Sequence, residues 1–357
     1  MVFDAGHSLW QPIVAVPARN EARRLPLLID SLGQQTWLAG AERRLPIILV
    51  LNNCNDHSAV IAVRAAAQHR KLLLDVIETN FPASQAHVGS ARRLAMERAL
   101  ELAGDRARSV LLTTDADAVP MRDWIDNNLR AINEGAAIVG GHILGHKTEE
   151  ALLGPRFLRR AKAQLYYGSL IDRLATLIDP VPHDPWPRHS DHTGASLAVR
   201  ADVYAAVGGI PALPFREDLA FVSLVRGAGY RLRHPLDVQV QVSARLDGRA
   251  PGGMADCLKS WLGAEGDGLP HLVEDPKSIV ARLRKRGMCR QFGAIPDSGM
   301  HPVRSSASAH SFRRTETAEI ERIAPDEPDA PHSVPVKAAI RQIKRMIADK
   351  ESETCVI

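Results

Sequence analysis

Two aspartates separated by one residue, Asp115 and Asp117, directly follow the apolar, β-forming run Val110–Thr114. On an extended chain, residues two positions apart point to the same side. The carboxyl end of a buried strand is where open α/β sheets bind ligands, and two carboxylates there suit Mg²⁺ or Mn²⁺ bound together with substrate phosphates. The pair therefore predicts a metal site. The alternative is that one aspartate caps a helix predicted to begin near Arg122 and the other is solvated.

Polar residues also follow the first two predicted strands. Ile13–Val16 is followed by Asn20 and Glu21, and Ile47–Leu51 is followed by Asn52–Asp56. Because loops at one edge of a parallel sheet share one cleft, these residues are expected to lie near the two aspartates. The alternative for each loop is ordinary turn chemistry, which Asn and Asp perform in many proteins.

The predicted strands alternate with helices. A third strand is predicted at Leu72–Ile77, and apolar residues at helical spacing predict a helix after each of the first three strands. This alternation is typical of a mostly parallel sheet with helices on both faces. The predicted fold class is therefore α/β.

A second pair of carboxylates, Glu217 and Asp218, begins a helix that is predicted to run to Gly227. Acidic residues are favoured at a helix N-terminus, so capping explains them well. The functional alternative is that one of the two carboxylates faces the cleft as a general base.

A basic, glycine-rich segment, 243–253, follows the strand predicted at Val238–Val242. It carries Arg245 and Arg249, and its composition is typical of a lid that closes over phosphates.

Composition narrows the function classes. The chain has 357 residues, a net charge of +4 and only 4% aromatic residues, which do not alternate with basic ones, so nucleic-acid binding is not indicated. Four scattered cysteines without a C-x-x-C pair predict reduced thiols in a cytoplasmic protein. The sequence predicts neither a signal peptide nor a membrane-spanning helix, because its apolar runs are too short to span a bilayer.

The chain is predicted to have four parts: a main domain over residues 1–255, a helical extension over 256–294, a linker or disordered segment over 295–335, and an amphipathic helix over 336–350. The apolar face of this last helix is formed by Val336, Ile340, Ile343 and Ile347. We expect it to pack on the body of the protein; the alternative is a peripheral membrane contact.

Over residues 12–250 the chain resembles the family 2 glycosyltransferases, which have the GT-A fold, a Rossmann-like mixed sheet, and use nucleotide sugars. The resemblance is carried by motifs that occur in the family's order and spacing: 16–21, the Asn-Asp loop at 52–56, Gly89-x-Ala91-Arg92, Asp115-x-Asp117, Gly194–Ser196, Glu217-Asp218 and Ser243-x-Arg245.

The resemblance implies a role for each matching residue. Those implied to bind the donor nucleotide are Pro17, Arg19, Glu21, Asn53, Asp56, Arg92, Asp115 and Arg245; Arg249, in the basic segment, is also predicted to bind the donor by adding charge there. Asp117 matches the chief metal ligand, with Asp115 nearer the ribose. Asp218 matches the catalytic base, with Glu217 beside it. Many family members have two aspartates where this chain has Asn52 and Asn53.

The implied activity is metal-assisted transfer of a sugar, as in a hexosyltransferase, from a nucleoside diphosphate sugar to an acceptor hydroxyl. The cofactor is Mg²⁺ or Mn²⁺, and a single base predicts inversion. The acceptor is a saccharide, a lipid or a small molecule. Two alternatives stay open, a nucleotidyltransferase of sugar phosphates and a non-catalytic nucleotide-sugar-binding protein.

Overall fold

The computed structural model describes residues 10–39, 42–248, 253–292 and 332–355. The chain forms two compact units. The first comprises Met1–Glu150, Ser190–Val222 and Arg231–Lys259, and the second comprises Ala151–His189, Ser223–Tyr230 and Ser260–Ile357.

The first unit contains ten strands and most of the smaller helices. In chain order the strands are β1 (Gln11–Ala18), β2 (Leu45–Asn52), β3 (Leu72–Thr79), β4 (Ser109–Thr113), β5 (Ala118–Pro120), β6 (Ile138–Gly140), β7 (His142–Gly145), β8 (Leu197–Arg200), β9 (Leu232–Arg233) and β10 (Gln239–Val242). The helices of this part of the chain are α1 (Leu25–Gly33), α2 (Ser58–Ala66), α3 (Val88–Leu102), α4 (Trp124–Asn133) and α5 (Lys147–Leu152).

Seven strands form the main sheet, in the order β3-β2-β1-β4-β8-β6-β9. The neighbours β3, β2, β1 and β4 are parallel to one another, as are β6 and β9, whereas β8 is antiparallel to both β4 and β6. The predicted α/β class, with a mixed and mostly parallel sheet, is confirmed. A second sheet, in the order β5-β10-β7, lies in the same unit.

Helices cover both faces of the main sheet, as the sequence predicts. Val14 and Val16 of β1 point into a buried core that also contains Leu25 and Leu28 of α1 and Trp124 of α4. The helix α3 packs against β1 and β2 and contributes nothing to that core, so it lies on the opposite face. Continuous apolar runs are buried because both sides of each strand are covered.

Two predicted boundaries differ from the structure. The helix expected near Arg122 begins at Trp124, and the preceding Ala118–Pro120 pairs with β10 as a short strand. The sequence also predicts one helical stretch from Glu149 to about Ile178, and in the structure this part of the chain forms two helices, α5 and α6 (Pro155–Ile178). Between them Gly154 has a φ of +94°, a conformation that no α-helix residue adopts.

The remaining helices are α7 (Ala201–Ala206), α8 (Glu217–Gly227), α9 (Met254–Gly266), α10 (Pro276–Phe292) and α11 (Val336–Cys355). In the second unit α6, α10 and α11 share one core, and β11 (Leu272–Glu274) pairs antiparallel with β12 (Ser333–Pro335).

The C-terminal helix α11 packs against α6 and α10, within the second unit, through the face that the sequence predicts. Val336, Ile343 and Ile347 of α11 are buried, and Ile340 is half-buried against the same core. The predicted linker, 295–335, lies outside the described residues except for 332–335, where β12 forms. No helix in the described part of the chain is both long and apolar enough to cross a bilayer.

Candidate active site

The carboxyl ends of three adjacent parallel strands, β2, β1 and β4, lie at one edge of the main sheet. The loops that leave β1 and β2 are joined by hydrogen bonds: the Asn55 N–H donates to Asn20 Oδ1 at 2.9 Å, and the Glu21 N–H donates to Ser58 Oγ at 2.9 Å. The polar residues predicted to share one edge are therefore brought together there.

Arg92 of α3 is buried and is held by partners from several segments. Its Nε donates to Glu217 Oε1 at 3.0 Å and its Nη2 donates to Asp115 Oδ1 at 2.7 Å. Its Nη1 donates to Thr113 Oγ1 and to the Gly194 carbonyl, both at 2.9 Å. Burial alone would lower the pKa of Arg92, but the charges of Asp115 and Glu217 outweigh it and raise that pKa above its usual value.

The space around Arg92 leaves no room for a side chain at Gly194. A Cβ added at Gly194 would lie 2.4 Å from Arg92 Nη2. Glycine at this position thus permits the close approach of backbone and guanidinium that the hydrogen bond from Nη1 requires.

Asp117 forms a second cluster with Glu21 and Arg245. Arg245 Nη2 lies 2.9 Å from Asp117 Oδ2, and Arg245 Nη1 donates to Glu21 Oε2 at 2.7 Å. Burial raises the pKa of Asp117 to about 6, with a further contribution from the charge of Asp115, and the charge of Arg245 opposes this rise. The carboxylate of Asp117 is therefore poorly compensated and would be stabilised by an added cation.

The donor set at Asp115 and Asp117 fits Mg²⁺ or Mn²⁺. Both residues offer carboxylate oxygens, the ligand type that these hard cations prefer. The Asp115 side chain is 37% exposed and that of Asp117 is 22% exposed, so both can be reached from solvent.

The other residues implied to bind the donor nucleotide lie in or beside the same loops. Arg19 is exposed and its Nη1 donates to the Ala86 carbonyl at 3.0 Å. Asp56 is exposed and accepts the N–H groups of Ala22 and Ser58. Its partial burial raises the pKa, but hydrogen bonds to Ser58 and Ala22 outweigh it, so the pKa of Asp56 lies below its usual value.

Two of the implied residues are engaged by the protein itself. Pro17 is buried inside β1, opposite Val50 of β2, and does not lie in the exit loop. The Asn53 side chain donates to the Phe81 carbonyl and accepts the Phe81 N–H, each at 3.0 Å, while its backbone has a φ of +49°. Asn53 thus fastens the loop after β2 to the loop after β3.

The two carboxylates at the start of α8 have different surroundings. Glu217 is buried and bound to Arg92, whereas Asp218 is half-buried. Asp218 Oδ2 accepts the Gly194 N–H at 2.6 Å, and its Oδ1 accepts the Leu219 N–H at 2.8 Å. Asp218 is therefore oriented by backbone groups, and Glu217 by a single arginine.

Glu149, which the sequence does not single out as a site residue, holds the segment that carries Arg245. Its Oε2 accepts the Ser243 hydroxyl at 2.8 Å and the Ala244 N–H at 2.9 Å, and its Oε1 accepts from Arg24. These partners lie far from Glu149 in the sequence, and no motif marks the contact. Arg249, also predicted to bind the donor, lies outside the described residues.

Several solved structures are similar to this chain. A mannosyltransferase from Pyrobaculum calidifontis, in complex with GDP-Man and Mn²⁺, has a TM-score of 0.46 and 16% identity, over 97% of this chain and 75% of its own. TarS 1-349 of S. aureus, in complex with UDP-GlcNAc, has a TM-score of 0.47 and 14% identity, over 79% and 72%. Glucosyl-3-phosphoglycerate synthase of Mycobacterium tuberculosis, with Mn²⁺, UDP and phosphoglyceric acid, has a TM-score of 0.40 and 15% identity, over 75% and 82%.

The sequence itself matches a family model. No curated protein matches the chain significantly. Residues 13–183, which include β1, β2, β4 and both aspartates of the pair, match the model of glycosyl transferase family 2. The resemblance drawn from the motifs is thereby confirmed over residues 13–183, which match glycosyl transferase family 2.

Proposed function

We propose that the protein transfers a hexosyl group from a nucleoside diphosphate sugar to an acceptor hydroxyl, with Mg²⁺ or Mn²⁺ as cofactor. The observation that carries this proposal is the position of Asp115 and Asp117. They directly follow β4, at the edge where the exit loops of β1 and β2 also lie. The reduced thiol of Cys54 is in keeping with a reducing cytoplasm as its location.

Asp117 and Asp115 are the residues that would hold the metal. A bound cation there neutralises the charge that develops on the leaving diphosphate. Arg245 already lies against Asp117 and Glu21, and the N–H groups that it does not use there are proposed to donate hydrogen bonds to diphosphate oxygens. Arg249 belongs to the same basic segment and is proposed to add charge there.

The nucleoside is proposed to bind the loops after β1 and β2. Arg19 and Asp56 are exposed there and offer a cation and a carboxylate. Pro17 and Asn53 support these loops from within the fold, and Arg92 acts by holding Asp115 in place. We prefer this positioning role for Arg92 to a direct contact with the nucleotide base, because most of its N–H groups already donate to protein acceptors.

Asp218 is proposed as the catalytic base. As the acceptor oxygen forms its bond to the anomeric carbon, the bond from that carbon to the diphosphate oxygen breaks, and the hydroxyl proton passes to the Asp218 carboxylate. The Gly194 N–H fixes the orientation of that carboxylate. Glu217, bound to Arg92, is proposed as a positioning residue. One base and one direct displacement give inversion at the anomeric carbon, which NMR of the product would test.

A thermal-shift screen with UDP-, GDP- and dTDP-hexoses, each with and without Mn²⁺, tests the donor site. A donor at about a hundredfold excess over its Kd should stabilise the fold by about 2.7 kcal/mol. We expect the stabilisation by the donor to require Mn²⁺ in the wild type and to be lost in Asp117→Asn. The fold should survive, because a raised pKa means that ionised Asp117 destabilises the folded state relative to the unfolded one, a cost that is fully present above about pH 6 and that asparagine removes. The exposed Asp123→Asn is the matched control. A wild type that no nucleotide sugar stabilises would refute the proposal.

Release of the nucleoside diphosphate separates the three candidate functions. With the donor found in the screen, Asp218→Asn should bind normally but release the diphosphate about 10²- to 10⁴-fold more slowly. If the protein only binds nucleotide sugars, the wild type should release no nucleoside diphosphate. A nucleotidyltransferase would release pyrophosphate from a nucleoside triphosphate and sugar phosphate instead; the family match argues against it.

A further inference from the structure

One face of the long helix α6 is exposed and combines apolar with basic side chains. Leu158, Leu165 and Tyr166 are 38%, 52% and 43% exposed, and Arg159 and Lys162 between them are also exposed. These positions are separated by steps of three and four, so they lie on the same side of the helix. The opposite side, with Phe157, Tyr167 and Leu174, is buried. We call the five exposed residues the α6 face.

The α6 face has no acidic residue. The only carboxylate in α6 is Asp172, which is buried. On the neighbouring helix, Lys344 Nζ lies 5.2 Å from the centre of the Tyr166 ring. Lys337 and Arg341 are exposed at helical spacing before Lys344 and therefore extend this basic character along α11.

The second unit as a whole is basic. Its sequence contains 22 Lys and Arg against 17 Asp and Glu, whereas the first unit contains 23 against 24. The positive charge of the protein is concentrated on the unit that carries the α6 face, which points to an anionic partner.

We infer that the α6 face docks on the surface of an anionic lipid bilayer. Leucine and tyrosine side chains enter the boundary between headgroups and acyl chains, while lysine and arginine lie along it and reach the phosphates. Each cation near an anionic leaflet strengthens binding about fivefold. A protein partner is less well matched, because the centre of a protein interface is depleted of charge, whereas Lys162 lies in the middle of this face. The inference does not depend on the proposed function.

Sedimentation with vesicles tests the inference on the full chain. Wild-type protein should bind vesicles of phosphatidylcholine mixed with phosphatidylglycerol. It should bind vesicles of phosphatidylcholine alone much more weakly. Added salt should weaken the binding, because the attraction of exposed charges is screened. Failure to bind the mixed vesicles, or equal binding to both kinds, would overturn the inference.

Two pairs of variants locate the surface. Arg159→Gln with Lys162→Gln should weaken binding about 25-fold, since each cation contributes about fivefold. Leu158→Gln with Leu165→Gln should weaken it about tenfold or more through lost apolar burial. The controls are Arg108→Gln and Leu102→Gln, whose side chains are exposed in the first unit.

The control variants should bind the mixed vesicles like the wild type, and the melting temperatures of all variants should match it. If the α6-face variants bind as the wild type does, the surface lies elsewhere and the inference is wrong. Light scattering measures the molecular mass of the same proteins in solution. If the wild type is a dimer and Leu158→Gln with Leu165→Gln is a monomer, a second copy of the chain covers this face instead.

Discussion

Arg92 places a positive charge inside the first unit, where two carboxylates and two neutral hydrogen-bond acceptors stabilise it. Asp115 and Glu217 both bind its guanidinium, and the charge of Asp218 also raises its pKa. Because removal of a buried cation leaves its carboxylate partners uncompensated, the cost of losing Arg92 exceeds the net benefit of the ion pairs themselves. The same arrangement explains how one residue connects the start of α8 with the loop after β4.

Replacement of Arg92 by leucine should lower the free energy of unfolding by about 3–5 kcal/mol, because Glu217 becomes a buried carboxylate without a cation. Urea unfolding followed by circular dichroism measures this. The adjacent Arg93, whose side chain is 41% exposed, is the control and forms an i,i+4 pair with Glu97. Arg93→Leu should change the free energy by no more than about 0.5 kcal/mol. Equal losses in the two variants would contradict the assignment.

At the level of elements, the first turn of α5 fixes the segment that follows β10. Glu149 binds the Ser243 hydroxyl and the Ala244 N–H, and the next residue, Arg245, reaches Glu21 and Asp117. A helix of the first unit thereby determines where a cation of the candidate active site lies.

Loss of this tether should expose the segment to protease. In Glu149→Ala, tryptic cleavage after Arg245 should become several-fold faster, because the open population of a segment rises as its hydrogen bonds are removed. Mass spectrometry of the early fragments measures the rate. The exposed neighbour Thr148→Ala should leave the rate unchanged. If Glu149→Ala is cleaved at the wild-type rate, Glu149 does not hold the segment.

The elements near the site could be predicted from sequence because their signals are local. Each of β1, β2 and β4 is a continuous apolar run followed by polar residues, and parallel strands necessarily place those residues at one edge. The contacts that join distant segments could not be predicted. Arg245 meets Glu21 across 224 positions, and no periodic pattern encodes such a pairing. The short strand β5 was missed since its strand character depends on pairing with β10.

At the scale of the whole molecule, each unit has a hydrophobic core of its own. The core of the first unit is built on β1, β2 and β4, and contains Val14 and Leu49. The core of the second unit is built on α6, α10 and α11, with Leu174, Ile279 and Ile343 among its buried side chains. Separate cores are what allow two parts of a chain to open independently.

Ile343→Ala should therefore destabilise the second unit alone. Ile343 is fully buried, and removal of its three side-chain carbons should cost about 2–5 kcal/mol in lost burial and cavity formation. Native-state hydrogen exchange should show faster exchange in α6, α10 and α11, with β1, β2 and β4 unchanged. Ile340→Ala, at a half-buried position of the same helix, should have a smaller effect. Equally accelerated exchange in β1, β2 and β4 would show that the two cores open together, in one cooperative step.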